Sequence, residues 1–161
     1  MTTYSILDLV PVREGGTLEE AFAAAASLAR AAETVGCKRF WVAEHHAMEG
    51  LAGGATAVVL AHIGQATNTI RIGSGGIMLP NHTPFQIAEQ FGTLESLFPG
   101  RIDLGLGRAP GSDQPASRAL RRGLGSDGRI SRSSLASCVR ILTLPGAAPV
   151  PRVFARFPVK A

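Results

Sequence analysis

The sequence predicts an α/β fold, the truncated first half of a (β/α)8 barrel with about four βα units and an irregular C-terminal tail. Three observations predict it. Four strand-like apolar segments recur roughly every 30 residues, and a helical pattern follows each of the first three. The run Arg39-Phe40-Trp41-Val42-Ala43-Glu44-His45-His46 passes from aromatic and β-branched residues to a carboxylate and two imidazoles. A buried parallel strand reads this way when it delivers polar groups to its C-terminal end, where ligands collect in such sheets. The dinucleotide fingerprint of the doubly wound alternative is missing: Gly105-Leu106-Gly107-Arg108-Ala109-Pro110 puts proline where a third glycine belongs.

Tyr4 to Val10 is the first strand, ended by Pro11 and Gly15-Gly16. Thr17-Leu18-Glu19-Glu20 has capping-box spacing, so the hydroxyl and the carboxylate satisfy free N–H groups at a helix start. Leu18, Phe22, Ala25, Leu28, Ala32 and Val35 then follow at helical spacing, and Gly36 suits the C-terminal cap. After the Phe40 to Ala43 strand, a loop through Gly50, Gly53 and Gly54 leads to a second helix at Ala55 to Ala66, with Val58, Val59 and Ile63 as its stripe. Ile70 to Met78 is the third strand, with a glycine-rich end. Thr83-Pro84-Phe85-Gln86 supplies an N-cap, a proline at the first helical position and a capping glutamine. Ile87, Phe91, Leu94 and Leu97 line that third helix, Phe98-Pro99-Gly100 stops it, and Arg101 to Gly107 is the fourth strand.

Eight βα units take about 250 residues, and this chain has 161. Beyond Arg122, glycine, serine and proline interrupt every candidate element, with Leu135 to Leu144 the one stretch able to form a short helix or strand. The expected division is a half barrel at 1–122 and an unpatterned, poorly ordered basic tail at 123–161. From Gly123 onward six basic residues face one acid, so the tail carries +5 of the net +4 and leaves −1 on the rest. Basic residues scattered among Ser, Gly and Pro do not make a groove-reading face, so nucleic-acid binding is not expected. No run reaches the length of a membrane span, and without a basic region followed by an apolar core at the start no secretory signal is expected. Cys37 and Cys138 make neither a disulfide framework nor a metal cluster. A cytoplasmic protein with no membrane partner is expected.

Strand alternation would turn His45 and His46 to opposite faces, so they do not jointly grip a metal, and no HExxH pair exists; no metal site is expected. A histidine at a strand's C-terminal end suits proton transfer or a hold on a substrate oxygen, with a satisfied loop histidine as the alternative. Gly73, Gly75 and Gly76 mark backbone that turns sharply or approaches a flat ring closely; a plain turn into Pro80-Asn81-His82 is the rival. Arg108, after Gly105 and Gly107, is placed to hold a phosphate or to lie solvated on the surface.

At these residues the chain resembles the bacterial-luciferase-like, flavin-dependent monooxygenases. The resemblance runs through Phe40 to His46, Ile72 to Pro80, Ala88-Glu89-Gln90 and Phe98 to Arg108, and covers Tyr4 to about Arg122. It implies a barrel that binds reduced FMN, or in some members F420, and uses O2 to oxygenate a small organic substrate. It implies that His45 assists proton transfer. It further implies that Gly75 and Gly76 lie against the flavin ring at a non-proline cis peptide, and that Arg108 helps hold the phosphate. Phe40, Trp41 and Leu79 would shield the site from water. A flavin reductase as the source of reduced FMN and a homodimer are the accompanying partner expectations. The rival readings are a catalytically inactive half-barrel fragment that self-associates, and an F420-dependent oxidoreductase of the same superfamily.

Overall fold

The computed structural model describes residues 2–107, Ala136 and the backbone of Arg152–Ala155. Five parallel strands run in sheet order β1-β2-β3-β4-β5: β1 Ser5–Asp8, β2 Arg39–Val42, β3 Arg71–Met78, β4 Ile102–Gly107 and β5 Arg152–Ala155. Helices α1 (Leu18–Thr34), α2 (Thr56–Ala66) and α3 (Pro84–Leu97) connect the first four. Sequential parallel strands joined by helices are the first part of a (β/α)8 wall, as expected. The fifth strand is a departure from the sequence reading. Val153-Phe154-Ala155 is too short to stand out among its prolines and arginines, and its pairing with the edge of β4 is a long-range choice. The other residues of 123–161, including most of Leu135 to Leu144, lie outside the described residues.

The α1 capping devices and the Thr83 cap are as the sequence implies. The Gln86 side chain, however, accepts from the Thr83 hydroxyl at 3.1 Å, so the α3 cap lacks the expected reciprocal capping-box bond. Thr17 Oγ1 accepts from the Glu20 N–H while a Glu20 carboxylate oxygen accepts from the Thr17 N–H, and Thr83 accepts from the Gln86 N–H. Gly36 follows α1 at φ +78°, a conformation that costs glycine nothing. The buried faces are partly different. In α1 the stripe is Ala21, Ala25, Ala29 and Ala32, while Leu18, Leu28 and Val35 are exposed. In α2 Val58 is exposed, and Val59, Leu60 and Ile63 point inward. In α3 Ile87, Phe91 and Leu94 are buried and Leu97 is not. A register of alanines lets α1 lie close to the sheet, and that closeness outweighs the burial of two leucines on its far edge.

The main core lies between sheet and helices, where Phe40, Val42, Ile72, Ile102 and Leu104 meet the helical stripes. The opposite face would line a barrel interior. There Leu7, Trp41, Gly73 and Asp103 stand side by side in one register row, and Leu7 remains 57% exposed. Asp103 is fully buried between two cations: Arg39 Nε donates to Oδ2 at 2.8 Å, Arg71 Nε at 3.0 Å, and Arg71 reaches Oδ1 as well. Carboxylates also staple the ends of strands. Glu33 accepts from the N–H groups of Asn68, Thr69 and Ile70, and Glu95 from those of Gly100 and Ile102. These staples fix where β3 and β4 begin, and therefore where their far ends emerge.

Candidate functional site

The C-terminal ends of β2 and β3 are neighbours, because Trp41 pairs with Gly73 and Val42 with Ser74. Past β2 the chain continues into Glu44, His45 and His46. Past Ser74, β3 breaks register with β4, and the peptide between Gly75 and Gly76 is cis. Ser74 repairs the ladder at that point: its Oγ donates to the Gly105 carbonyl at 2.9 Å and accepts from the Gly105 N–H at 3.1 Å.

The packing explains why glycine is needed here. A Cβ at Gly76 would meet the Gly105 carbonyl oxygen at 2.8 Å, and one at Gly105 would meet the Ser74 carbonyl oxygen at 2.2 Å. At Gly75 it would meet Leu7 Cδ1 at 2.8 Å and Trp41 Cβ at 3.0 Å. The result is a bare backbone shelf at the end of β3, bordered by Trp41 and Leu7 on the barrel-interior face.

Glu44 is buried and organises the polar cluster behind the shelf. Its Oε2 accepts from the Met78 N–H at 2.7 Å, and its Oε1 lies 2.5 Å from His46 Nε2 and 2.6 Å from His82 Nε2. Burial opposes its ionisation, but the hydrogen bonds from His82, His46 and Met78 win and hold its carboxyl below the ordinary carboxylate range. Glu44 and His82 also line a cavity of about 100 Å³ with the first turn of α2, Ile77, Ile87 and Gln90. This cluster therefore faces the helices.

His45 takes no part in that cluster. Its Nδ1 is buried with no hydrogen-bond partner among the described residues. His45 stands three residues past β2, whose C-terminal end adjoins that of β3. Of the residues singled out in the sequence, His45, Gly75 and Gly76 thus fall at adjoining strand ends. Arg108 lies outside the described residues. Sequence reasoning did not single out His82, which the structure brings to Glu44. The signal was available, since His82 also stands at a strand's C-terminal exit, directly before the helix cap Thr83.

A sequence profile described as luciferase-like monooxygenase matches residues 2–142. Among curated relatives, the uncharacterized protein YvbT of Bacillus subtilis (strain 168) is 61% identical over 125 residues, which cover 78% of this chain and 37% of that protein. A luciferase-like monooxygenase of Escherichia coli (strain K12) is 56% identical over 124 residues, 77% of this chain and 37% of the relative. The chain thus spans little more than a third of the length of these relatives. The crystal structure of apo-MsnO8 superposes with a TM-score of 0.85 at 35% identity, covering 96% of this chain and 49% of that one. More remote structures share the fold alone. They include an oxygenating subunit of 3,6-diketocamphane monooxygenase in complex with FMN (TM-score 0.67, 22% identity, 86% of this chain and 36% of that one) and a coenzyme F420-dependent tetrahydromethanopterin reductase (TM-score 0.62, 16% identity, 87% and 39%). With most of its length matched by the family profile, the chain belongs to the luciferase-like monooxygenase family.

Proposed function

We propose that this chain carries the ring-facing part of a monooxygenase site that uses reduced FMN and O2 to oxygenate a small organic substrate. The observation that carries the reading is the pairing of a side-chain-free Gly75–Gly76 shelf with an adjoining histidine whose buried Nδ1 has no described partner. The residues fit a flat ring. Gly75 and Gly76 let it reach the backbone, and Trp41 and Leu7 offer apolar surface beside it. When bound, reduced FMN supplies the electrons for oxygen activation. His45 holds or moves a proton at its ring nitrogens, an assignment suited to an imidazole near neutral pH. Arg108 binds the phosphate end through its guanidinium fork. A flavin reductase supplies reduced FMN, and the protein works in the cytoplasm; no helix among the described residues is long and apolar enough to cross a membrane.

The test is anaerobic titration of the full chain with reduced FMN, followed by oxygen uptake in the presence of a panel of small aldehydes, ketones and thioethers. Saturable flavin binding and substrate-dependent oxygen consumption are expected. Absence of binding up to about 1 mM reduced FMN overturns the reading. F420 is the alternative cofactor, and preferential stabilisation by reduced F420 would select it.

One observation favours a second reading, in which the 1–122 half barrel is a non-catalytic unit that self-associates. Leu7 stands 57% exposed on the face turned to the barrel interior, an apolar side chain that a second copy could cover. Size-exclusion mass with and without flavin separates the two. A homodimer indifferent to flavin supports the second, and a melt raised by FMN supports the first.

A further inference from the structure

We propose that Glu44, His46 and His82 form a binding site for one divalent first-row transition-metal ion on the helix side of the sheet. Just past the end of β2, Glu44 and His46, two residues apart, meet side chain to side chain. The turn after β3 then brings His82 to them across 38 positions of sequence. One oxygen of Glu44, one nitrogen of His46 and one nitrogen of His82 all lie within 4.8 Å of one another. Both imidazoles present the same atom, Nε2, to the same carboxylate oxygen, at 2.5 and 2.6 Å. The ring centroids are 6.2 Å apart with planes inclined at 51°, so the two nitrogens converge rather than stack.

The donor chemistry is that of two-histidine, one-carboxylate centres, which suit zinc and its neighbours in the first row. A tetrahedral ion with bonds of about 2.1 Å places its ligands about 3.4 Å apart, so each ring needs to withdraw by a little under one ångström. The carboxylate is already oriented for this. The Met78 N–H holds Oε2 at 2.7 Å, as outer hydrogen bonds do for metal ligands, and leaves Oε1 to the ion. The adjoining cavity of about 100 Å³ has room for water ligands, with Thr56 and Gln90 on its wall. His46 and His82 keep about a fifth of their side-chain surface exposed, 18% and 22%, which gives the ion a way in. The ion would clamp the exit of β2 to the turn beyond β3, on the opposite face from the shelf proposed for the flavin.

The full chain, freed of metal by chelation, is titrated with Zn2+ by calorimetry, and 15N-histidine NMR is recorded before and after one equivalent. One Zn2+ per chain is expected, with the Nε2 signals of two histidines moved to the range of metal-bound imidazole. Affinity should fall about 10- to 100-fold in H46Q, in H82Q and in E44Q, and stay unchanged in H45Q. No binding tighter than about 1 mM, or equal affinity in wild type and H82Q, overturns the proposal. The NMR arm uses wild-type protein alone, so it decides the matter even if E44Q fails to fold. Zn2+ that moves no histidine Nε2 signal likewise overturns it.

Discussion

The Met78 N–H donates to Glu44 Oε2 at 2.7 Å, which ties the second residue past β2 to the last residue of β3 just beyond the cis peptide. The same carboxylate meets two imidazoles through its other oxygen. In E44Q the neutral amide keeps at most one good acceptor and turns a donor toward histidine nitrogens. A loss of about 2–3 kcal/mol is expected by urea denaturation, typical of charged hydrogen bonds broken in a buried site. An unchanged midpoint would mean that the cluster does not hold these strand ends together.

Glu33 predicts acid sensitivity. Partial burial works against its ionisation, but the N–H groups of Ile70, Thr69 and Asn68 and the Thr69 hydroxyl prevail and lower its pKa from 4.5 to about 2. A carboxylate with a folded pKa below its unfolded one contributes stability that is complete above the unfolded value. That contribution is lost as pH falls through the folded one. The relevant window is therefore pH 4.5 down to about 2. Melting temperatures of E33Q should lie below wild type at pH 7 and converge on it as pH drops through that window.

Asp103 is enclosed by Arg39 and Arg71 with no exposure of its own. Removing the anion leaves two cations facing each other across β2 and β3. D103A should cost about 2–4 kcal/mol, less than a fully sequestered pair because both guanidinium groups retain some access to water. A double variant R71M/D103A that recovers part of the loss would locate the penalty in the unpaired charge.

Gly64 on α2 lies under the ring of Phe98, where a Cβ would meet Cε2 and Cζ at 2.5 Å. G64A gains helix propensity but overpacks a buried ring, and a net loss of about 1–2 kcal/mol is expected. In a double-mutant cycle F98L should cost less on the G64A background than alone. Additive effects would show that the two positions do not press on each other.

For the proposed chemistry, H45Q should reduce oxygen-dependent turnover about 10²- to 10⁴-fold while reduced-FMN affinity stays within about threefold of wild type. Loss of flavin binding in H45Q would instead assign His45 to holding the ring.

The sequence by itself determined the βα rhythm, the helix caps and the chemistry that collects at strand ends. These depend on local spacing: a capping threonine three residues before Glu20, a run of apolar residues ending in Glu44-His45-His46, and glycines at 75 and 76. Only the tertiary structure decided which faces meet. Neither α1's use of its alanines in place of Leu18 and Leu28, nor the pairing of Arg152–Ala155 with β4, is written in any local window. The same holds for His82, whose imidazole reaches Glu44 because β3 runs beside β2 and the turn beyond it folds back. Periodicity tells a segment that it has a buried side, but partners far apart along the chain are chosen by packing and by where a buried carboxylate finds its donors.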